Sequence, residues 1–219
     1  MQETVNLTGI VLKTVPIGDF DRRVVLLTKE RGKISAFAKG ARRQNSRLLA
    51  ATTPFCFGEF KLYEGRTSYN IMEASISNYF ETLREDFEAA YYGMYFMEIA
   101  DYYTRENNDE KEMLKLAYQS LRALQHKGIE NELVRYIYEI KTVVVNGEYP
   151  GIPADRQFSE SALYALTYIE KTDIGKLYTF TVTKEVLSEL KYTAEQIRKR
   201  FMNQKFKSLD VLETIQKPC

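Results

Sequence analysis

The apolar residues of this chain change their spacing near residue 80, and that change limits the folds open to it. Before it they come in short runs, many alternating with polar residues, separated by turn signals. After it they recur every third or fourth residue. A period of two places alternate side chains on opposite faces of a strand, whereas a period of 3.6 gathers them on one side of a helix. The expectation is an α+β chain: a β domain over residues 1–80 and an all-helical domain over residues 81–219. The boundary is a change of period rather than a flexible linker.

Within the first part, residues 7–15 are rich in strand formers and end at Pro16, before the turn signal Gly18-Asp19. Residues 22–28 carry Val24, Val25, Leu26 and Leu27, and Arg31-Gly32 makes the next tight turn. Residues 33–39 alternate, with Ile34, Ala36 and Ala38 on one face and Lys33, Phe37 and Lys39 on the other. A basic link, 40–47, leads to two further runs, 55–63 and 69–80, joined through Glu64-Gly65-Arg66. Five strands with short turns and a longer link after the third suit a barrel of the OB type, with a small open sheet as the alternative.

The second part reads as helices. Residues 89–99 are apolar nearly all round, as a buried central helix would be. Asn108-Asp109 can cap a helix in which Met113, Ala117, Leu121 and Leu124 share a face. Leu133, Ile137, Ile140 and Val144 stripe a third, closed by Gly147. Phe158-Ser159 with Leu163 has the form of a hydrophobic staple around an N-cap, opening a fourth helix to about Glu170. Residues 175–182 read as extended, and Thr183 caps a helix carrying Val186, Leu190, Ala194, Ile197 and Phe201.

Net charge is only +1, but it is unevenly spread. Residues 1–80 carry 12 Lys and Arg against 7 Asp and Glu; residues 81–219 carry 19 against 23. From Arg22 to Arg47 there are nine basic side chains and one acidic, Glu30. The densest stretch, Lys39-Gly40-Ala41-Arg42-Arg43-Gln44-Asn45-Ser46-Arg47, combines cations with a glycine at which the backbone can bend. Together with Arg22, Arg23 and Lys33 on the neighbouring strands it can track a phosphate backbone, a salt-dependent contact blind to base sequence. Phe37, Tyr63 and Tyr69 are candidate platforms for base stacking. The competing reading is a solvated basic face with its aromatics in the core.

Other functions find little support. Apolar residues make up 44% and charged residues 28%, an ordinary globular balance able to bury a core. No apolar run approaches the ~18 residues of a membrane span. The polar start Met1-Gln2-Glu3-Thr4 lacks the basic-then-apolar pattern of a signal peptide. Two cysteines, Cys56 and Cys219, form no disulfide framework, and with the lone His126 they make no tetrahedral zinc set. A reduced, cytoplasmic chain without cofactor or structural metal is expected. His126 fits a helix C-terminus better than a catalytic role, and Cys56 fits a strand core. The carboxylate pairs Asp19/Asp21 and Glu98/Asp101 are explained by a turn and a helix face. No phosphate-binding glycine loop occurs, and most of the sixteen tyrosines fall at helical core spacing, so no catalytic centre is expected. In the helical part, Arg135 and Lys141 beside Leu133, Ile137 and Tyr138 could receive an acidic peptide; a self-satisfied helical core accounts for them better.

Several of these residues together resemble the RecO family of bacterial DNA repair proteins. They are Gly9-Ile10-Val11-Leu12-Lys13-Thr14, Asp21-Arg22, Arg31-Gly32-Lys33-Ile34-Ser35-Ala36, Ala38-Lys39-Gly40-Ala41-Arg42-Arg43 and Ser46-Arg47-Leu48. Pro54-Phe55, Gly58-Glu59-Phe60 and Leu62-Tyr63 continue the pattern, and Phe158-Ser159, Ala162-Leu163-Tyr164-Ala165-Leu166 and Lys176-Leu177-Tyr178-Thr179-Phe180 fit its late part. The resemblance implies an OB-fold domain followed by a helical domain. It implies binding of single- and double-stranded DNA and annealing of strands coated by single-strand-binding protein, whose acidic C-terminal tail would be a partner. It further implies loading of RecA onto gaps together with RecR, in the RecF pathway, at the cytoplasmic nucleoid. The DNA-binding residues expected on this reading are Arg22, Arg23, Lys33, Phe37, Lys39, Arg42, Arg43 and Arg47. Many members carry a four-cysteine zinc knuckle before the Phe-Ser segment; here residues 147–157 hold that place without a cysteine. A protein–protein adaptor and an RNA-directed OB protein remain the alternatives, while scarce carboxylate and histidine clusters disfavour a metal-dependent nuclease.

Overall fold

The computed structural model describes residues 3–66 and 68–215. Five strands, β1 (Glu3–Ile17), β2 (Asp21–Thr28), β3 (Gly32–Ala38), β4 (Phe57–Glu64) and β5 (Tyr69–Asn78), close into a barrel in the order β1-β2-β3-β5-β4. The closed barrel of the OB type is therefore the one formed, and not the open sheet. β1 is long enough to serve two neighbours. Its first half pairs with β4 (Val5 opposite Leu62) and its second half with β2 (Val15 opposite Arg23). The two pairings overlap at Gly9 and Ile10, and just beyond them a bulge between Val11 and Lys13 interrupts the ladder with β2; an extra residue of this kind bends a strand so that it can turn the corner of a barrel. A short parallel pairing, Ala36 with Tyr69 and Phe37 with Asn70, completes the closure.

The alternation expected for β3 holds. Ile34, Ala36 and Ala38 join Leu7, Val11, Val24, Leu26, Phe60 and Leu62 in the barrel core, and Lys33, Ser35 and Phe37 face outward. Cys56 lies in the same core; Cys219 falls outside the described residues. Pro16 does not stop β1, which runs on to Ile17 opposite Asp21. The link between β3 and β4 contains one helical turn, α1 (Leu48–Ala51), that the period did not indicate.

The helices are α2 (Glu81–Glu85), α3 (Phe87–Tyr103), α4 (Lys111–Leu124), α5 (Asn131–Val145), α6 (Glu160–Lys171), α7 (Lys184–Phe201) and α8 (Lys207–Ile215). None is long and apolar enough to cross a membrane. The chain divides into two compact units, Met1–Glu85 with Met97–Leu114, and Asp86–Phe96 with Lys115–Cys219. In the first, the segment after α3 is sewn to the β2–β3 turn. Lys33 N donates to the Arg105 carbonyl at 2.9 Å and Asn107 N to the Arg31 carbonyl at 2.9 Å. Gly32 sits between them at φ +63°, where a Cβ would come within 2.3 Å of the Arg105 oxygen.

In the second unit α5 is the central helix, buried on nearly every side. Two caps form as the sequence suggests: Ser159 accepts from Ala162 N at the start of α6, and Thr183 from Val186 N at the start of α7. Residues 175–182 are not a strand. Ile174–Lys176 forms a single 3-10 turn and irregular chain follows, since among the described residues no neighbouring strand offers its backbone a ladder. The bridge before Phe158 holds no cysteine or histidine that could ligate zinc. It is fastened by side chains instead: Tyr192 donates to Asp155 at 2.7 Å, and the Arg156 guanidinium lies 5.0 Å from the Tyr192 ring.

Candidate nucleic-acid interface

The arginine loop is a folded ledge anchored at both ends. Gly40, at φ +64°, reverses the chain so that its N–H reaches the Asp21 carboxylate at 2.7 Å. Ala41 is fully buried in the barrel core and Leu48 packs there as well, which leaves Arg42 to Asn45 and Arg47 facing water. Arg42 binds the β1–β2 turn twice, through its N–H to the Phe20 carbonyl at 2.8 Å and its guanidinium to the Gly18 carbonyl at 3.0 Å. The Arg43 guanidinium lies 5.2 Å from the Phe20 ring, whose side chain is half exposed.

Arg42, Arg43, Arg47 and Lys39 are thus displayed together on one exposed loop. Arg23 and Phe37 form a second pair, opposite each other on the outer faces of β2 and β3. Phe37 is 37% exposed, enough to offer one face of its ring. Besides Arg42, three of the nominated cations already have partners in the fold; Arg23 Nε donates to Ser35 Oγ at 2.8 Å. Arg22 donates to the Leu49 carbonyl at 2.6 Å and to Thr52 Oγ1 at 2.9 Å, holding α1 to the barrel. Burial and the nearby Arg42 charge both lower its pKa. Lys33 stands at the far end of β3 from the loop and binds the carboxylate of Asp101 at 3.0 Å. Of the aromatic candidates, Tyr69 is withdrawn into the core with its hydroxyl directed at Glu64, so it offers no stacking face. Phe20, in the β1–β2 turn beside Arg43, is a half-exposed ring that the spacing of the strands does not single out. Its signal was available, because an aromatic between two aspartates in a turn has no core face to occupy.

Residues 1–80 match the family model described as "Recombination protein O N terminal", and residues 84–153 match "Recombination protein O C terminal". The chain belongs to the RecO family. It is 28% identical over 240 residues to the DNA repair protein RecO of Acetivibrio thermocellus, covering 95% of this chain and 96% of that protein. With the RecO of Clostridium novyi it shares 26% over 239 residues, 95% and 93% of the two chains. With that of Bacillus pumilus it shares 34% over 142 residues, 65% and 55%. RecO membership places the chain among DNA repair proteins, and the N-terminal match takes in the whole barrel with its arginine loop.

The remaining candidates in this RecO chain are absorbed by its fold. Arg135 and Lys141 are buried and cannot receive a peptide. Arg135 binds Glu139 at 2.9 Å, and Glu139 also accepts from the Tyr95 hydroxyl at 2.6 Å. Burial, together with the Glu139 charge, raises the Tyr95 pKa well above its ordinary value and keeps the phenol neutral. The Lys141 ammonium donates to the carbonyls of Ile169, Glu170 and Thr172, which closes the C-terminus of α6. Asp21 holds Gly40 and Asp101 holds two lysines, so one member of each carboxylate pair is committed to the fold. His126 accepts from Gly128 N at 3.2 Å in the turn after α4.

Proposed function

We propose that this chain binds single- and double-stranded DNA through the barrel and brings complementary strands together. The exposed Arg42–Arg43–Arg47 loop, held rigid against Phe20, is the observation that carries this reading. Guanidinium groups already positioned, as those of Arg42 and Arg43 are, neutralise phosphates at less entropic cost, and Phe20 and Phe37 present rings on which unpaired bases can stack. Annealing then needs no bond making: two neutralised backbones meet at raised local concentration, and base pairing supplies the free energy. As in the family it resembles, the chain would act at the nucleoid on strands coated by single-strand-binding protein, and with RecR help load RecA. Residues 1–80 would meet DNA, and residues 81–219 the protein partners.

The test is anisotropy of a labelled single strand at several salt concentrations, on the wild type and the triple variant Lys39→Ala, Arg43→Ala, Arg47→Ala. These three are chosen because the fold leans on Arg22 and Arg42. Wild-type affinity should fall steeply with salt and not depend on base sequence. Three lost phosphate contacts should flatten the logarithmic salt slope by about 2. Equal binding by both proteins would remove the loop from the mechanism, and a preference for RNA would redirect it.

A further inference from the structure

A second concentration of cations lies on the outer face of the barrel, along β3 from Lys33 toward Arg23. A groove of about 560 Å³ runs over β1, β2 and β3, lined by Val15 and Val25, by Lys13, Arg23, Lys33 and Arg105, and by the carboxylates of Asp101 and Glu106. Arg23 Nε donates to Ser35 Oγ at 2.8 Å, and Arg105 to the Tyr102 and Thr104 carbonyls at 2.6 and 2.8 Å. Asp101 binds two of these cations. Lys13 Nζ lies 2.5 Å from Asp101 Oδ2, and Lys33 Nζ lies 3.0 Å from Oδ1. Asp101 stands two residues before the end of α3, where the helix dipole disfavours a carboxylate, so the lysines account for its place. Burial raises its pKa, but the hydrogen bonds and charges of the two lysines outweigh burial and hold it below the ordinary value.

An oxygen anion held between two ammonium groups, in a groove that two valines and two guanidinium groups also line, stands where a phosphodiester would fit. Lys33 has a second bond, to the Asp101 main-chain carbonyl, and would stay in place if the carboxylate left. Lys13 has only the carboxylate, and its side chain is 53% exposed. We infer that this groove is a second phosphate subsite for nucleic acid, closed in the free protein by Asp101 and opened when a backbone phosphate takes its place on Lys13 and Arg23. This rests on the nucleic-acid reading of the barrel and adds to it an internal competitor that weakens binding until a strand displaces it.

The experiment compares wild type, Asp101→Asn, Lys13→Gln and the double variant in binding a labelled single-stranded 20-mer across a salt series. Asp101→Asn should bind about five-fold tighter or more, with a salt slope steeper by up to about 0.7 per phosphate captured. Lys13→Gln should change wild-type affinity less than about two-fold and remove most of the gain in the double variant, as coupled neighbours do. Unchanged or weaker binding by Asp101→Asn overturns the inference. So does an equal loss from Lys13→Gln in both backgrounds, because Lys13 would then be open to DNA already. In the wild-type chain, the Asp101 carboxyl carbon signal should shift at saturating DNA, and an unmoved signal overturns the inference even if Asp101→Asn fails to fold. A wild type that binds no DNA at any salt sinks the wider reading; the subsite is then decided by whether Asp101→Asn binds.

Discussion

Arg22, Lys33, Arg135 and Lys141 are basic residues whose charge the fold consumes, in two ways. Arg22 and Lys141 donate to backbone carbonyls at helix ends; Lys33 and Arg135 meet carboxylates. From sequence alone a lysine committed to a helix end looks like one facing water, because the partner is a main-chain oxygen tens of residues away. Exposed arginines were easier to place. Arg42, Arg43 and Arg47 lie between turn residues, with no apolar stripe to draw them inward. Glu139 is the most committed of the buried charges, fully buried with Arg135 on one oxygen. Glu139→Ala should destabilise the chain by roughly 3–5 kcal/mol in urea denaturation, because Arg135 is left as an uncompensated buried cation. Adding Arg135→Met should restore a large part of the loss; a single variant within ~1 kcal/mol of wild type would show that the pair is already solvated.

At the scale of elements, the strands were legible because a barrel has one wet face and one dry face, which writes period two into residues such as 34–38. The helices were legible by the same argument at period 3.6. Two of the elements that escaped have causes that are not periodic. α1 is four residues long, too short to show any repeat, and is held through Arg22. The 177–182 stretch has strand-forming residues but no strand to pair with. α8 did carry a signal, with Phe206, Leu209 and Leu212 buried at a three-residue spacing. The fastening of the β2–β3 turn to the chain after α3 could be read only in part, from Arg31-Gly32 as a turn. Gly32→Ala tests it: a left-handed φ and a clash with the Arg105 carbonyl should together cost about 1–3 kcal/mol. Hydrogen exchange should speed up first at Lys33 and Asn107, whose N–H groups bridge the two segments. Uniform acceleration across the barrel would argue against a local fastening.

For the whole molecule, the order of a barrel followed by helices was visible in the change of period, and the basic character of the barrel half in a simple count. Which helical residues pack with which unit was not visible. Met97–Leu114 belongs with the barrel although its residues repeat like those of any other helix. The 147–157 bridge shows the same lesson in reverse: its lack of cysteine was plain, but its replacement by Asp155, Arg156 and Tyr192 needed three-dimensional proximity. Such a chain should fold without metal. Overnight treatment with EDTA should leave its melting midpoint unchanged, whereas a drop of several degrees would mean that a metal contributes to folding.

Cys56 gives this architecture a built-in clock. Its thiol is sealed in the barrel core, with Sγ 3.3 Å from the Ala50 carbonyl, so a water-borne thiol reagent meets it only when the strands part. With Cys219 replaced by serine, Cys56 would be the one remaining thiol, and its labelling rate would report how often the barrel opens.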